Sequence, residues 1–222
     1  MSKDLYYEID SDRFRKLLLK YTRKAFSMLP ELDQPNILDV GCGSGVPTIE
    51  LAKLSKGNVV GIDLDQFLLD ELKKKIEFEG LSNRVRAIKC SMLEINFPDE
   101  TFDVIWAEAS IAVIGVEKGM KEWKRLLKPS GFLVIHAETR KISRQLRKNC
   151  FGYRFSGHLL LPEDVHWREY YEPLETRIQK LIIKYQNNPD NLRILNKHQQ
   201  EINMVKKNPR YFRSAFYIFQ KL

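Results

Sequence analysis

Cysteine is scarce in this 222-residue chain: Cys42, Cys90 and Cys150 are widely spaced and odd in number. They form neither a disulfide framework nor a metal ligand set, and they read as small buried hydrophobes. No continuous apolar run approaches the ~20 residues that a bilayer span requires. The opening Met1–Tyr7 is charged and aromatic where a secretion signal would be apolar, so a cytoplasmic protein away from membranes is expected. Also missing is the third glycine of a dinucleotide fingerprint. In G-x-G-x-x-G it would fall at 46, which is Val46; the chain has Gly41, Gly43 and Gly45 instead, which argues against NAD.

Net positive charge is lacking from most of the chain and concentrated at one end. Residues 1–140 carry 21 Lys and Arg against 22 Asp and Glu, whereas residues 141–222 carry 16 against 7. Such an excess reads either as solvated helix faces or as a surface for an anionic partner such as nucleic acid; no basic run is long enough to favour the second.

What is present is organised around Asn36–Gly45. Ile37, Leu38 and Val40 read as a buried parallel strand, and the glycines after it open onto a helical pattern beginning at Val46. Glycine at alternate positions lets the main chain turn tightly and meet a ligand where a Cβ would collide. Asp39 lies inside the strand end, where a ligand with a cationic amine can use it. A second strand, Asn58–Ile62, ends in Asp63, placed to accept hydrogen bonds from both ribose hydroxyls of a nucleoside; the alternative duty, capping the next helix, suits Asp65 better.

In this stretch the chain resembles the class I S-adenosylmethionine (SAM) dependent methyltransferases. Further markers follow in order: Phe97–Trp106, with its Pro-Asp turn leading into a strand, and Leu127–Ile135, which is similar to that family's approach to its fifth strand. The region around Glu108–Gly119 resembles a small, mostly uncharacterised branch related to quinone-biosynthesis methyltransferases, in which position 109 is commonly glycine where this chain has Ala109.

The resemblance implies an α/β, Rossmann-like fold: a seven-stranded, mostly parallel sheet with an antiparallel edge strand, helices on both faces and a helical insertion near the C-terminus. One domain is expected, with a helical cap over 1–35, a SAM-binding core over 36–161, the insertion over 162–208 and a last strand over 209–222. Cofactor contacts are expected from Asp39, Gly41, Gly43, Gly45, Asp63, Leu64, Ser91, Met92 and Ala107. Ser91 stands where the family usually has an acid for the adenine amino group, and a hydroxyl accepts that bond more weakly.

Glu108, at the carboxyl end of a strand, is the leading candidate for chemistry, and His136 is either a structural residue or a second proton carrier. Tyr6 and Tyr7, and Trp167 with Tyr171, are candidate acceptor contacts; plain packing is the alternative for both pairs. The expected product is S-adenosylhomocysteine, with no metal. A small-molecule acceptor is the first reading. An RNA or protein methyltransferase using the basic C-terminal part, and a non-catalytic SAM-binding protein, are the alternatives.

Local patterning further predicts a helix over Asp10–Leu29, a turn at Lys128–Gly131, a basic helix over 139–150, and two helical stretches in Pro162–Asn208 broken at Pro173 and near Pro189.

Overall fold

The computed structural model describes residues 3–142, 150–208 and 212–222. The chain divides into two compact units, Met1–Lys20 with Leu161–Arg213, and Tyr21–Leu160 with Ser214–Leu222. Among the described residues no helix is long and apolar enough to cross a membrane.

The first unit is helical. α1 (Lys3–Ile9) and the start of α2 (Ser11–Phe26) join α6 (Glu172–Lys184) and α7 (Pro189–Lys207), numbered in chain order with the elements below. Leu174, Ile178 and Leu181 recur at helical spacing on α6 and close on Leu5, Ile9, Leu195 and Ile202. Two expectations change here. The helix predicted from Asp10 is preceded by a second one, because Asp10 takes φ +53° and breaks the run. Pro173 does not end a helix; it lies in the first turn of α6, where its missing N–H costs nothing, behind a π turn at Trp167–Tyr171. The break near Pro189 is as expected, with the Asn188 side chain capping α7.

The second unit is built on a sheet whose order is β3-β2-β1-β4-β5-β7-β6, with β1 Asn36–Val40, β2 Asn58–Asp63, β3 Val85–Lys89, β4 Phe102–Glu108, β5 Leu127–Glu138, β6 Tyr153–Leu160 and β7 Ser214–Lys221. Pairings from β3 to β5 are parallel. Both antiparallel pairings are made by β7, which lies one place in from the edge between β5 and β6. The segments connecting these strands include α3 (Val46–Ser55), α4 (Gln66–Phe78) and α5 (Val116–Trp123).

Alternation along the strands separates two faces. Leu38, Val40, Ile62, Ile105, Ala107 and Leu133 join Met120 and Trp123 of α5 in one apolar cluster. The opposite face carries Ile37, Val104, Trp106 and Phe216, with Phe26 of α2 at 6.3 Å from the Trp106 ring. The turn expected at Lys128–Gly131 is absorbed into β5: Leu127 already pairs with Phe102, and the irregularity appears as a register shift and as φ +62° at Ser130. Asp103 is structural, accepting from Asn36 N at 2.8 Å and from Lys128 Nζ. Of the basic helix expected over 139–150, Thr139–Lys141 form a 3-10 turn, and 143–149 lie outside the described residues.

Gly45 and Gly80 test the turn chemistry. Both have positive φ, but a Cβ at Gly45 would sit 2.2 Å from Leu72 Cδ1, whereas one at Gly80 meets nothing within 4 Å. Gly80→Ala is expected to cost about 1 kcal/mol for the left-handed backbone alone. Gly45→Ala adds overpacking of about 1–3 kcal/mol, a difference that urea denaturation of the pair reads directly.

Candidate functional site

The carboxyl ends of β2, β1 and β4 meet at the glycine turn. After Val40 the chain folds back: Gly41 N and Cys42 N both donate to Ile62 O at 2.8 and 3.0 Å, and Gly45 N donates to Cys42 O at 2.9 Å. Gly43 N donates to Asp63 Oδ2 at 2.9 Å, while the other Asp63 oxygen accepts from Asp65 N at 2.9 Å. Asp63 thus ties the turn to β2 and keeps a lone pair on each oxygen for further donors. Asp65, not Asp63, caps α4 through Phe67 N and Leu68 N. Lys75 Nζ of α4 holds the Ser44 carbonyl at 2.6 Å.

Asp39 lies beneath this turn, 2% exposed, with Thr48 Oγ1 donating to its Oδ2 at 2.6 Å. Burial pushes its carboxyl from 3.8 up to about 7; the Thr48 bond opposes this, while Glu108 and Asp63 add to it. Glu108 accepts from Thr22 Oγ1 at 3.2 and 3.1 Å and from Trp106 Nε1 at 3.0 Å, so the carboxylate is held by α2 and by its own strand. His136 is the register partner of Glu108 on β5; its Nε2 lies 2.9 Å from Ser214 Oγ and its ring stacks on Phe216 at 4.5 Å.

Next to the turn, Met92 Cε would be 3.5 Å from a Cβ at Gly41, and Ser110 Cβ only 2.5 Å, so glycine is obligatory there. Ser110 Oγ donates to Val40 O, and Trp123 Nε1 donates to Met92 O at 2.8 Å. Ser91 Oγ accepts from Leu93 N, stabilising the loop after β3. Leu64 is 61% exposed beside Asp63, a free apolar surface of the kind a base can cover. Ala107 differs: its side chain is fully buried in the apolar cluster of the other face, which leaves only its main chain to meet a ligand.

The structure therefore brings Asp39, the three glycines, Asp63, Leu64, Met92 and Glu108 to one end of the sheet. Tyr6, Tyr7, Trp167 and Tyr171 all belong to the helical unit. Tyr6 donates to Asp12 Oδ2 at 3.3 Å and meets Tyr7 edge-on at 5.4 Å. Tyr171 donates to Glu201 Oε1 at 2.9 Å, and Lys206 Nζ lies 5.3 Å over the Trp167 ring. Trp167, Tyr170 and Tyr171 also pack on the apolar cluster of that unit.

Thr22, Thr48, Trp106 and Ser110 escaped the sequence reading. Trp106 was legible, since it lies two residues before Glu108 and so on the same face; the hydroxyls were hidden in apolar helices and after a strand. Among the described residues no group of three or more His, Cys, Asp or Glu could hold a metal ion.

The turn suits a cationic ligand better than an anionic one. An anion site at a strand-to-helix turn needs N–H groups aimed outward, whereas here those of Gly41, Cys42, Gly43 and Gly45 are all satisfied within the fold. The carboxylates of Asp63 and Glu108 both act on Asp39 beneath the turn. SAM, with its ammonium, sulfonium and ribose, fits this set of groups.

Comparison with known proteins agrees. Residues 37–131 match a family described as a methyltransferase domain. Sterol 24-C-methyltransferase erg6 of Aspergillus fumigatus is 36% identical over 101 residues, 45% of this chain and 27% of that protein. The matched region is thus a minor part of that relative. A SAM-dependent methyltransferase from Geobacter sulfurreducens, solved with S-adenosylhomocysteine, has a TM-score of 0.74 at 17% identity, covering 92% of this chain and 90% of that one. The [4+2]-cyclase SpnF has a TM-score of 0.70 at 19% identity, covering 95% and 80%. Those structural likenesses establish the fold, and SpnF illustrates that a fold does not choose a reaction.

Two variants probe this end of the sheet. Ala109 has φ +60°, the left-handed conformation that glycine favours; Ala109→Gly is expected to stabilise by about 1 kcal/mol, or roughly 2–4 °C in a thermal melt. For Asp39, the folded chain binds the proton more tightly than the unfolded one. Its contribution is full below 3.8 and is lost as pH rises through about 7, a swing of roughly 4 kcal/mol. Asp39→Asn should be more stable than the parent at pH 8 and lose more than half of that advantage at pH 5, as read by urea denaturation.

Proposed function

We propose that this chain, whose residues 37–131 match a family described as a methyltransferase domain, is a class I SAM-dependent enzyme that transfers a methyl group from SAM to a small-molecule acceptor and releases S-adenosylhomocysteine. The observation that carries the reading is the glycine turn, in which the N–H groups of Gly41, Cys42, Gly43 and Gly45 are satisfied, with the carboxylates of Asp39, Asp63 and Glu108 at the adjoining strand ends.

In this assignment the Asp39–Gly45 turn holds the amino-acid and ribose part, and Asp63 accepts from the ribose hydroxyls with its remaining lone pairs. Leu64 and Met92 flank the adenine, Ser91 accepts from its amino group, and Ala107 contributes main chain only. The bound cofactor supplies an electrophilic methyl on a sulfonium. The protein's task is then to hold the acceptor atom in line and exclude water, and positioning of this kind is worth on the order of 7–11 kcal/mol in well-oriented systems. Where the acceptor loses a proton, Glu108 is the group we assign to receive it, its carboxylate fixed by Thr22 and Trp106; His136 is the second candidate. Acceptor recognition is assigned to Tyr6, Tyr7, Trp167 and Tyr171. A cytoplasmic setting accords with the free thiols of Cys42 and Cys90.

The basic excess of the C-terminal part gives little support to a nucleic-acid substrate. Arg168 pairs with Asp164, Lys184 with Glu8, Lys206 with Glu175 and Lys221 with Glu100, so at least four of its sixteen basic side chains are engaged on helix and strand faces.

Calorimetric titration with SAM, S-adenosylhomocysteine and NAD tests the assignment. Binding of the two SAM species without NAD is expected, weakened about 10- to 100-fold in Asp63→Ala by loss of charge-assisted hydrogen bonds. Absence of SAM binding, or unchanged binding in the variant, overturns it. A protein that binds SAM yet forms no S-adenosylhomocysteine with any acceptor pool is a binding protein and not an enzyme.

A further inference from the structure

Three carboxylates stand side by side on one face of the sheet. Asp39 of β1 is in register with Gly61 of β2 and Trp106 of β4. Asp63 and Glu108 follow those partners by two residues, so all three side chains project the same way at the ends of adjacent parallel strands. Asp39 is the middle and deepest member.

The groups around it are few. From α3, Thr48 donates its hydroxyl, and Glu50 on the same helix is engaged by Arg23 of α2 at 2.5 Å. From the turn comes the Cys42 thiol, itself kept protonated by burial. From β5, His136 stands beside Glu108 and bonds Ser214. The charged groups acting on Asp39 are Glu108 and Asp63, both negative. A carboxyl in that position holds its proton until positive charge arrives nearby.

SAM and its product differ by one methyl and one unit of charge. The donor, with carboxylate, ammonium and sulfonium, is a net cation; the thioether product is net neutral. We propose that Asp39 is the residue by which this protein tells fresh donor from spent product: the donor's extra charge is balanced by loss of the Asp39 proton to solvent, and the product leaves more of that proton in place. The inference rests on the methyl-transfer reading and adds to it a cofactor preference that strengthens with pH. If Asp39 is ionised throughout in the donor complex, donor affinity should rise about tenfold between pH 6 and pH 8, with a flatter profile for the product.

The test is calorimetry of the intact chain at pH 7 with SAM and with S-adenosylhomocysteine, each in phosphate and in Tris, whose ionisation enthalpies differ. The buffer dependence of the heat counts protons released. More protons are expected with SAM than with the product, and the difference should vanish in Asp39→Asn together with the pH dependence of the affinity ratio. Thr48→Val provides a second arm should that variant not fold: it removes a donor that favours the ionised carboxyl and should move the midpoint of the donor's pH profile upward. Equal release for both compounds overturns the inference. So does a difference that survives in Asp39→Asn, which would assign it to another group such as His136. No heat with either compound overturns the methyl-transfer reading itself.

Discussion

The site depends on a fold-back in which the turn after β1 gives its own N–H groups to β2. Gly41 and Cys42 share the Ile62 carbonyl, and Gly43 reaches the Asp63 carboxylate. These bonds fix where the turn lies above the sheet and how Asp63 is aimed. They also determine what kind of ligand the turn can accept, because donors already used cannot hold phosphate. The glycines serve this geometry directly: at 41 any Cβ would meet Ser110, and at 45 it would meet Leu72. Ser110 in turn donates to the Val40 carbonyl, so the close approach that demands glycine is itself held by a hydrogen bond.

Burying acidic groups at the strand ends works against stability, and the surrounding elements are arranged to limit that cost. Asp39 receives a hydroxyl from α3, and Glu108 receives one from α2 and an indole N–H from its own strand. A carboxylate with good donors is cheaper to bury than one without. The left-handed backbone at Ala109, directly after Glu108, is a further local cost at the same place. Strain and unfavourable charge concentrated at the ends of β1 and β4 are what a binding site adds to a fold that would otherwise be apolar there.

Much of the second unit was legible because its signals are local. An apolar run followed by Gly-Cys-Gly-Ser-Gly predicts strand, turn and helix, and β1, the turn and α3 occupy those residues. Asp63 at the end of β2 and Glu108 at the end of β4 follow from strand length alone. What was not legible depends on distant partners. α1 is seven residues long and has no strong pattern of its own; Leu5 and Ile9 are buried against Leu174 and Ile178, far along the chain. The turn at Lys128–Gly131 was written in composition but overridden by the pairing of Leu127 with Phe102. Thr22 and Thr48 looked like neutral positions in apolar helices, and only the sheet register reveals which carboxylate each one faces.

The place of β7 has a consequence for the order in which the chain is made. β6 has its one partner in β7, yet β7 begins about fifty residues after β6 ends, with Leu161–Arg213 synthesised between them. At 5–20 residues per second, β6 waits roughly 3–10 s on the ribosome with no strand to pair with. β5, complete at Glu138, waits longer still with the edge that β7 will cover open, and that edge presents main chain beside the apolar run Phe132–Ile135. Nascent chains with open edges are recruited by one another and by chaperones. For this protein the edges of β5 and β6 stay open until Ser214–Lys221 is translated, an interval that the stability of the finished sheet does nothing to shorten.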